Sequence, residues 1–211
     1  MARIMLPLLS GLAVGLALGL TAGSSSMLAS TDSLEKTKQE ALYQGRPTSF
    51  WIKQLDDRDP SFRRQAMWAL AHLGPGQEGA VVRVLAEMLK DKNEGVRAAA
   101  ALNLRRMGPA ARSAVPLLIA ALSDEDPFFR VAAVRALRSI CPEDAAVLTA
   151  LGTALQDKSE MVRRRTLDTL GEIGPPAAVT LPAMREALND IDPEVREAAA
   201  EALRRIRPVN R

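Results

Sequence analysis

A seven-residue segment that opens with Asp and closes with Arg recurs five times, as Asp57 to Arg63, Asp91 to Arg97, Asp124 to Arg130, Asp157 to Arg163 and Asp190 to Arg196. The arginines are separated by 34 residues once and then by 33 three times, a period at which repeat arrays are built from stacked supersecondary units. A chain with that period cannot be read as one globular enzyme domain: each unit is too small to bury a core of its own and has to stack on its neighbours.

Other positions keep the same register. Ala66, Ala100, Ala133, Thr166 and Ala199 follow the arginine by three residues, Leu70, Leu104, Leu137, Leu170 and Leu203 by seven, and Leu73, Met107, Ile140, Ile173 and Ile206 by ten. Those offsets trace one face of a helix, so each unit contains an amphipathic helix starting near its arginine. Upstream lies a second apolar set, Trp51, Leu85, Leu118, Leu151 and Met184, each followed four residues later by a leucine (55, 89, 122, 155 and 188). This spacing predicts a first helix, and the Asp-rich segment is then the turn between two antiparallel helices. Asp59, Asp126 and Asp192 stand where they can cap the second helix, with Pro60, Pro127 and Pro193 in its first turn. Gly74-Pro75, Gly108-Pro109 and Gly174-Pro175, and the prolines after Cys141 and Arg207, stop it.

The pattern resembles the HEAT repeats, in particular the short bacterial HEAT-like repeats also found in phycobilisome bilin lyases. Asp192-Pro193-Glu194-Val195-Arg196, followed by Ala199, Ala202 and Leu203, carries the likeness most fully. The resemblance implies an all-α fold, a right-handed α-solenoid of about five helical hairpins at about 47–75, 76–109, 110–142, 143–175 and 176–208. It also implies that Asp57, Asp91, Asp124, Asp157 and Asp190 form a structural ladder with Arg63, Arg97, Arg130, Arg163 and Arg196. A set of catalytic carboxylates is the opposing reading, and a residue present in every unit is more simply a stacking element.

Residues 1–24 are a different kind of sequence. Arg3 is the one charge before Asp32, and Ile4 to Ala22 is an apolar run of 19 residues, longer than the roughly 7 to 15 of a signal-peptide core and just short of the about 20 that span a bilayer. Signal peptide and membrane anchor both fit, and both place the array outside the cytoplasm, periplasmic or secreted. Gly11, Gly15, Gly19 and Gly23 stand four apart, as spans that pack closely require, but Gly is also ordinary in export signals. Residues 25–46 form a polar linker or N-terminal cap, with some helical character over 34–43.

Function has to lie in second-helix positions that the core leaves free. Offsets of one, five and eight residues from each ladder arginine form a stripe, from which Arg64, Trp68, Leu102, Arg105, Val131, Arg135, Arg138 and Arg164 are the candidate partner-binding residues. Exposed Trp and Arg dominate binding hot spots, so the stripe suits a protein or peptide partner. A net charge of +3 with Asp and Glu interspersed is too weak a field for a nucleic-acid partner. The HEAT-like relatives also include bilin lyases and a di-iron deoxyhypusine hydroxylase, which keeps an enzyme or enzyme subunit as the alternative. Against it, the single histidine, His72, has no paired metal ligand nearby and reads as a surface residue at a helix end; the single cysteine, Cys141, sits where other repeats have the helix-stopping Gly and precludes an intrachain disulfide. No catalytic residue, metal site or cofactor is expected.

Overall fold

A computed structural model describes residues 42–73 and 78–206. The apolar Ile4 to Ala22 segment, the linker up to residue 41 and the Gly74-Pro75 and Arg207-Pro208 stops lie outside the described residues.

The array opens with a small antiparallel hairpin, β1 (Leu42–Tyr43) and β2 (Arg46–Pro47), with Leu42 opposite Pro47 and Tyr43 opposite Arg46. Gln44 and Gly45 between them both have positive φ, 50° and 71°, the backbone that closes a two-residue turn. Leu42 and Tyr43 are therefore extended, where the sequence had suggested helix. The hairpin is held because the Tyr43 ring packs edge-on against Trp51 and Trp68, with centroids 6.1 and 5.4 Å apart.

Five helix pairs follow: α1 (Thr48–Gln54) with α2 (Pro60–Leu70), α3 (Glu78–Met88) with α4 (Glu94–Met107), α5 (Val115–Ala120) with α6 (Pro127–Ile140), α7 (Ala145–Ala154) with α8 (Glu160–Ile173), and α9 (Leu181–Glu186) with α10 (Pro193–Ile206). The second helices stack side by side in chain order, α2 on α4, α4 on α6, α6 on α8 and α8 on α10, while each first helix packs on its own partner. Alanine at the seams lets the second helices approach closely: Ala66, Ala100, Ala133 and Ala199 are fully buried. Leu70, Leu104, Leu137 and Leu170 are buried as well, each contributing about 1.5–3 kcal/mol by leaving water.

Local chemistry sets the helix ends. The Asp59 carboxylate accepts from the Ser61 N–H, Asp126 from Phe128 and Phe129, and Asp192 from Glu194 and Val195. Asn93 does the same for Val96, and Asp144 caps α7 through Ala146 and Val147. The first helices of repeats three and five are only six residues of α-helix, each preceded by a 3-10 stretch (Gly108–Ala114 and Pro175–Thr180) and followed by another (Ala121–Ser123 and Ala187–Asn189). Gly108 and Gly174, with φ of 58° and 76°, turn the chain out of α4 and α8 as only Gly does without strain.

The core register loosens at some positions. Leu188, equivalent to the buried Leu55, Leu89 and Leu155, is 39% exposed, and its counterpart Leu122 is half-buried.

Candidate functional site

The ladder arginines Arg63, Arg130 and Arg163 form the same two-sided contact, and all five share its backward half. In each of the five, Nη1 donates back to the backbone carbonyl of its own repeat's Asp, at 2.7 Å for Arg63 to Asp57, 3.0 Å for Arg97 to Asp91, 2.7 Å for Arg130 to Asp124, 2.9 Å for Arg163 to Asp157 and 2.7 Å for Arg196 to Asp190. In those three, Nε and Nη2 reach forward to the carboxylate of the next repeat: Arg63 to Asp91 at 2.8 and 2.7 Å, Arg130 to Asp157 at 2.7 and 2.6 Å, and Arg163 to Asp190 at 2.7 Å twice. Bidentate pairing of this kind is geometrically specific and strong. It holds the Asp190 carboxyl below its usual range, chiefly through the bonds from Arg163, and holds the Arg163 guanidinium above its own.

One rung differs. Arg97 reaches Asp124 through Nη2 alone, at 2.8 Å; its buried Nε has no protein partner and the guanidinium lies over the Phe129 ring, 5.4 Å from the centroid. Among the described residues, the Asp57 carboxylate at one end receives no guanidinium and Arg196 at the other meets no carboxylate. These carboxylates are tied up in bonds between repeats, with no base-nucleophile geometry around them.

The stripe divides into two parts. Arg64 and Arg164, one residue past the ladder, point along the array towards the next second helix: an Arg64 Nη1 atom lies beside Gly95, and Arg164 pairs with Glu194. Deeper in, Trp68 on α2 is 41% exposed and Leu102 on α4 39% exposed. Val131 is half-buried. The Trp68 indole is held between Tyr43 and His72, whose ring centroid is 4.1 Å away. His72 stands at the helix end, half-buried and held in place: its Nδ1 lies 2.6 Å from the Trp68 carbonyl and its Nε2 accepts from Arg106 at 2.6 Å. Offset eight is open in repeats two and three but closed at Gly171, where an added Cβ would stand 3.1 Å from the Ala202 backbone.

Arginines gather on the middle of this face. Arg135 on α6 is flanked by Arg105 on α4 and Arg165 on α8, with Arg138 one turn along its own helix. Burial, and then the repulsion of those three guanidiniums, lowers its pKa, with Glu172 opposing. Arg138 pairs with Glu172 at 3.1 Å and Arg165 with Asp168 at 3.3 Å. The sequence reading missed Arg165, which lies two residues past the ladder arginine; only its position across the helix seam from Arg135 brings it into the group.

Cys141 is buried at the end of α6. Among the described residues no group of three or more His, Cys, Asp or Glu is placed to hold a metal ion, and no helix is long and apolar enough to cross a membrane.

Against known proteins, the HEAT-repeat sequence profile matches three overlapping stretches, residues 48–114, 84–153 and 148–210. The chain belongs to the HEAT-repeat family. No curated protein matches it significantly. Among solved structures, the HEAT array resembles the complex of CpcE and CpcF of phycocyanin lyase from Nostoc sp. PCC7120 at 26% identity and TM-score 0.59, over 82% of this chain and 69% of that one. A designed armadillo repeat protein in complex with peptide (KR)4 matches at 21% identity and TM-score 0.55, over 76% and 82% of the two chains. An engineered protein matches at 22% and 0.55, over 75% and 78%. The latter two show the fold alone: an α-solenoid of the HEAT and armadillo kind.

Proposed function

We propose that the HEAT array is a non-catalytic interaction module that works outside the cytoplasm and holds a protein or peptide partner along its second-helix face. The observation that supports this reading best is the pair of large apolar side chains, Trp68 and Leu102, left open next to Arg105 and Arg135, with which no carboxylate of the described residues pairs, on the stripe that the stacking core leaves free. Exposed Trp and Arg on a rigid scaffold are the residues from which hot spots are made, and the Tyr43 and His72 rings fix the Trp68 indole before any partner arrives. A designed armadillo repeat protein of similar fold is in complex with the peptide (KR)4, which is consistent with a peptide partner for repeats stacked this way. The apolar N-terminal run carries the export part of the proposal, whether it is cleaved or retained as an anchor.

The test is affinity capture from the native host with a C-terminally tagged full-length chain, beside the W68A/R135E double variant. The expected result is a reproducible partner that the variant loses while its thermal unfolding stays within about 0.5 kcal/mol of the parent, as for surface changes. Equal recovery by both chains removes the face from the proposal, and N-terminal sequencing of the mature product settles the export part.

The likeness to the CpcE–CpcF lyase complex favours a second reading, an enzyme subunit of the bilin-lyase kind. No residue of the face is arranged as a nucleophile or base, so this reading requires chemistry supplied by a partner. A bilin-dependent colour in the purified protein supports it.

A further inference from the structure

The charge order along the second helices says what kind of segment fits this face. Five residues past the ladder arginine, successive repeats present Trp68, Leu102, Arg135, Asp168 and Glu201, a run from apolar through basic to acidic. The basic step is reinforced from both neighbours, by Arg105 on α4 and Arg165 on α8. No carboxylate pairs with Arg105 or Arg135 among the described residues, whereas Arg138, Arg164 and Arg165 each have one. The acidic step is itself committed, since Arg204 and Arg205 pair with Glu201 and Arg165 with Asp168.

From this order we propose that the partner contributes an extended segment with an apolar side chain seated against Trp68 and Leu102 and carboxylates seated between Arg105 and Arg135. The inference rests on the second-helix face being the binding face. Spacing makes it specific. Packed helices stand about 8–10 Å apart, and an extended chain advances about 3.3 Å per residue, so one helix step corresponds to about three residues of the partner. The first carboxylate therefore follows the apolar residue by about three positions when that residue sits on Leu102, and by about five or six when it sits on Trp68. Beyond α6 the guanidiniums of Arg165, Arg204 and Arg205 are already taken by Asp168 and Glu201, so the segment's carboxylates find open guanidiniums at the basic step, which sets its direction: apolar end towards α2, acidic end towards α6. A nucleic acid offers the same anionic charge, but carboxylates on this face interrupt the positive field that a phosphate backbone needs, and phosphates have no use for the apolar step.

The experiment uses the full-length chain in mild detergent and four labelled probes: a short peptide with one Leu and two Glu at the spacing above, the same peptide with Gln for both Glu, the same with Lys for both, and a single-stranded oligonucleotide. Fluorescence anisotropy reads affinity. The Glu peptide is expected to bind at least about tenfold more tightly than the Gln peptide, the advantage shrinking as salt rises. Arg135→Gln is expected to abolish the difference between the two peptides, and Trp68→Ala to weaken both alike. Equal binding of the Glu and Gln peptides overturns the acidic assignment, and if Trp68→Ala still weakens both, the binding face itself survives. Tightest binding by the Lys peptide or the oligonucleotide, or no binding by any probe, also overturns it.

Discussion

Arg130 is the residue on which the ladder depends most. Its side chain is 2% exposed, its carboxylate partner Asp157 9%, and Nε, Nη1 and Nη2 are all bonded. Arg97, with one bond to Asp124 and a side chain 16% exposed, holds its rung less completely. Removing one partner of a buried pair strands the other, which costs about 3–5 kcal/mol. Arg130→Met is therefore expected to lose about that much stability and Arg97→Met clearly less; denaturant unfolding of the two variants that ranks them the other way contradicts this account of the rungs. The same pairs set the acid limit. Asp190 has its folded pKa depressed by Arg163, so its contribution is present above the ordinary carboxylate value of 3.8 and is lost as pH falls below that through the folded value. Asp190→Asn should be less stable than the parent at neutral pH and converge with it in acid, and a constant gap between the two unfolding curves from pH 7 to pH 3 contradicts that role. The ladder positions and most caps were legible in the chain because both are local and periodic: Asp and Arg at a fixed offset, Asp ahead of Pro. The asymmetry between Arg97 and Arg130 was not, since it depends on how the Phe129 ring lies beneath one guanidinium.

Between elements, the closest approach with consequences is α8 on α10. Gly171 lies under Ala202 and the Arg205 stem, where a Cβ would meet the Ala202 Cα at 3.1 Å and its Cβ at 3.2 Å. Those are backbone and methyl atoms that cannot swing aside, so Gly171→Val has to push the helices apart. The expected loss is about 1–3 kcal/mol, the range for overpacking a well-filled seam, measured by the midpoint of thermal unfolding. An unchanged midpoint means the seam can open without penalty. The helix pairs were legible from two apolar periods per repeat. The irregular first helices were not, although Pro116 and Pro182 mark where α5 and α9 take over from the preceding 3-10 stretches. The β hairpin over Trp51 and Trp68 falls where the sequence reads as a polar linker or N-terminal cap, and its extended backbone was not legible there, because its stability comes from rings distant in sequence and not from its own residues.

At the scale of the whole molecule, the proposed partner face and the contacts that hold the stack fall on different residues, and this decides how the array should fail. The core is a line of nearest-neighbour contacts, with no described element that touches repeats one and five together. Stability in such an array is the sum of repeat and interface contributions, so damage at one seam loosens the repeats on its far side before the others. The Trp68 and Arg135 face was legible as a stripe of non-core positions, and so was its order from apolar through basic to acidic, but the gathering of Arg105 and Arg165 about Arg135 became visible only once α4, α6 and α8 were side by side. Placing Gly171→Val near one end gives the array a direct test. Hydrogen exchange of that variant is expected to show α9 and α10 losing protection while α2, α4 and α6 keep theirs, and with them the face that carries Trp68 and Arg135. If protection falls equally from α1 to α10, the five repeats unfold as one cooperative unit, and the partner face cannot be altered without reference to the stability of every rung beneath it.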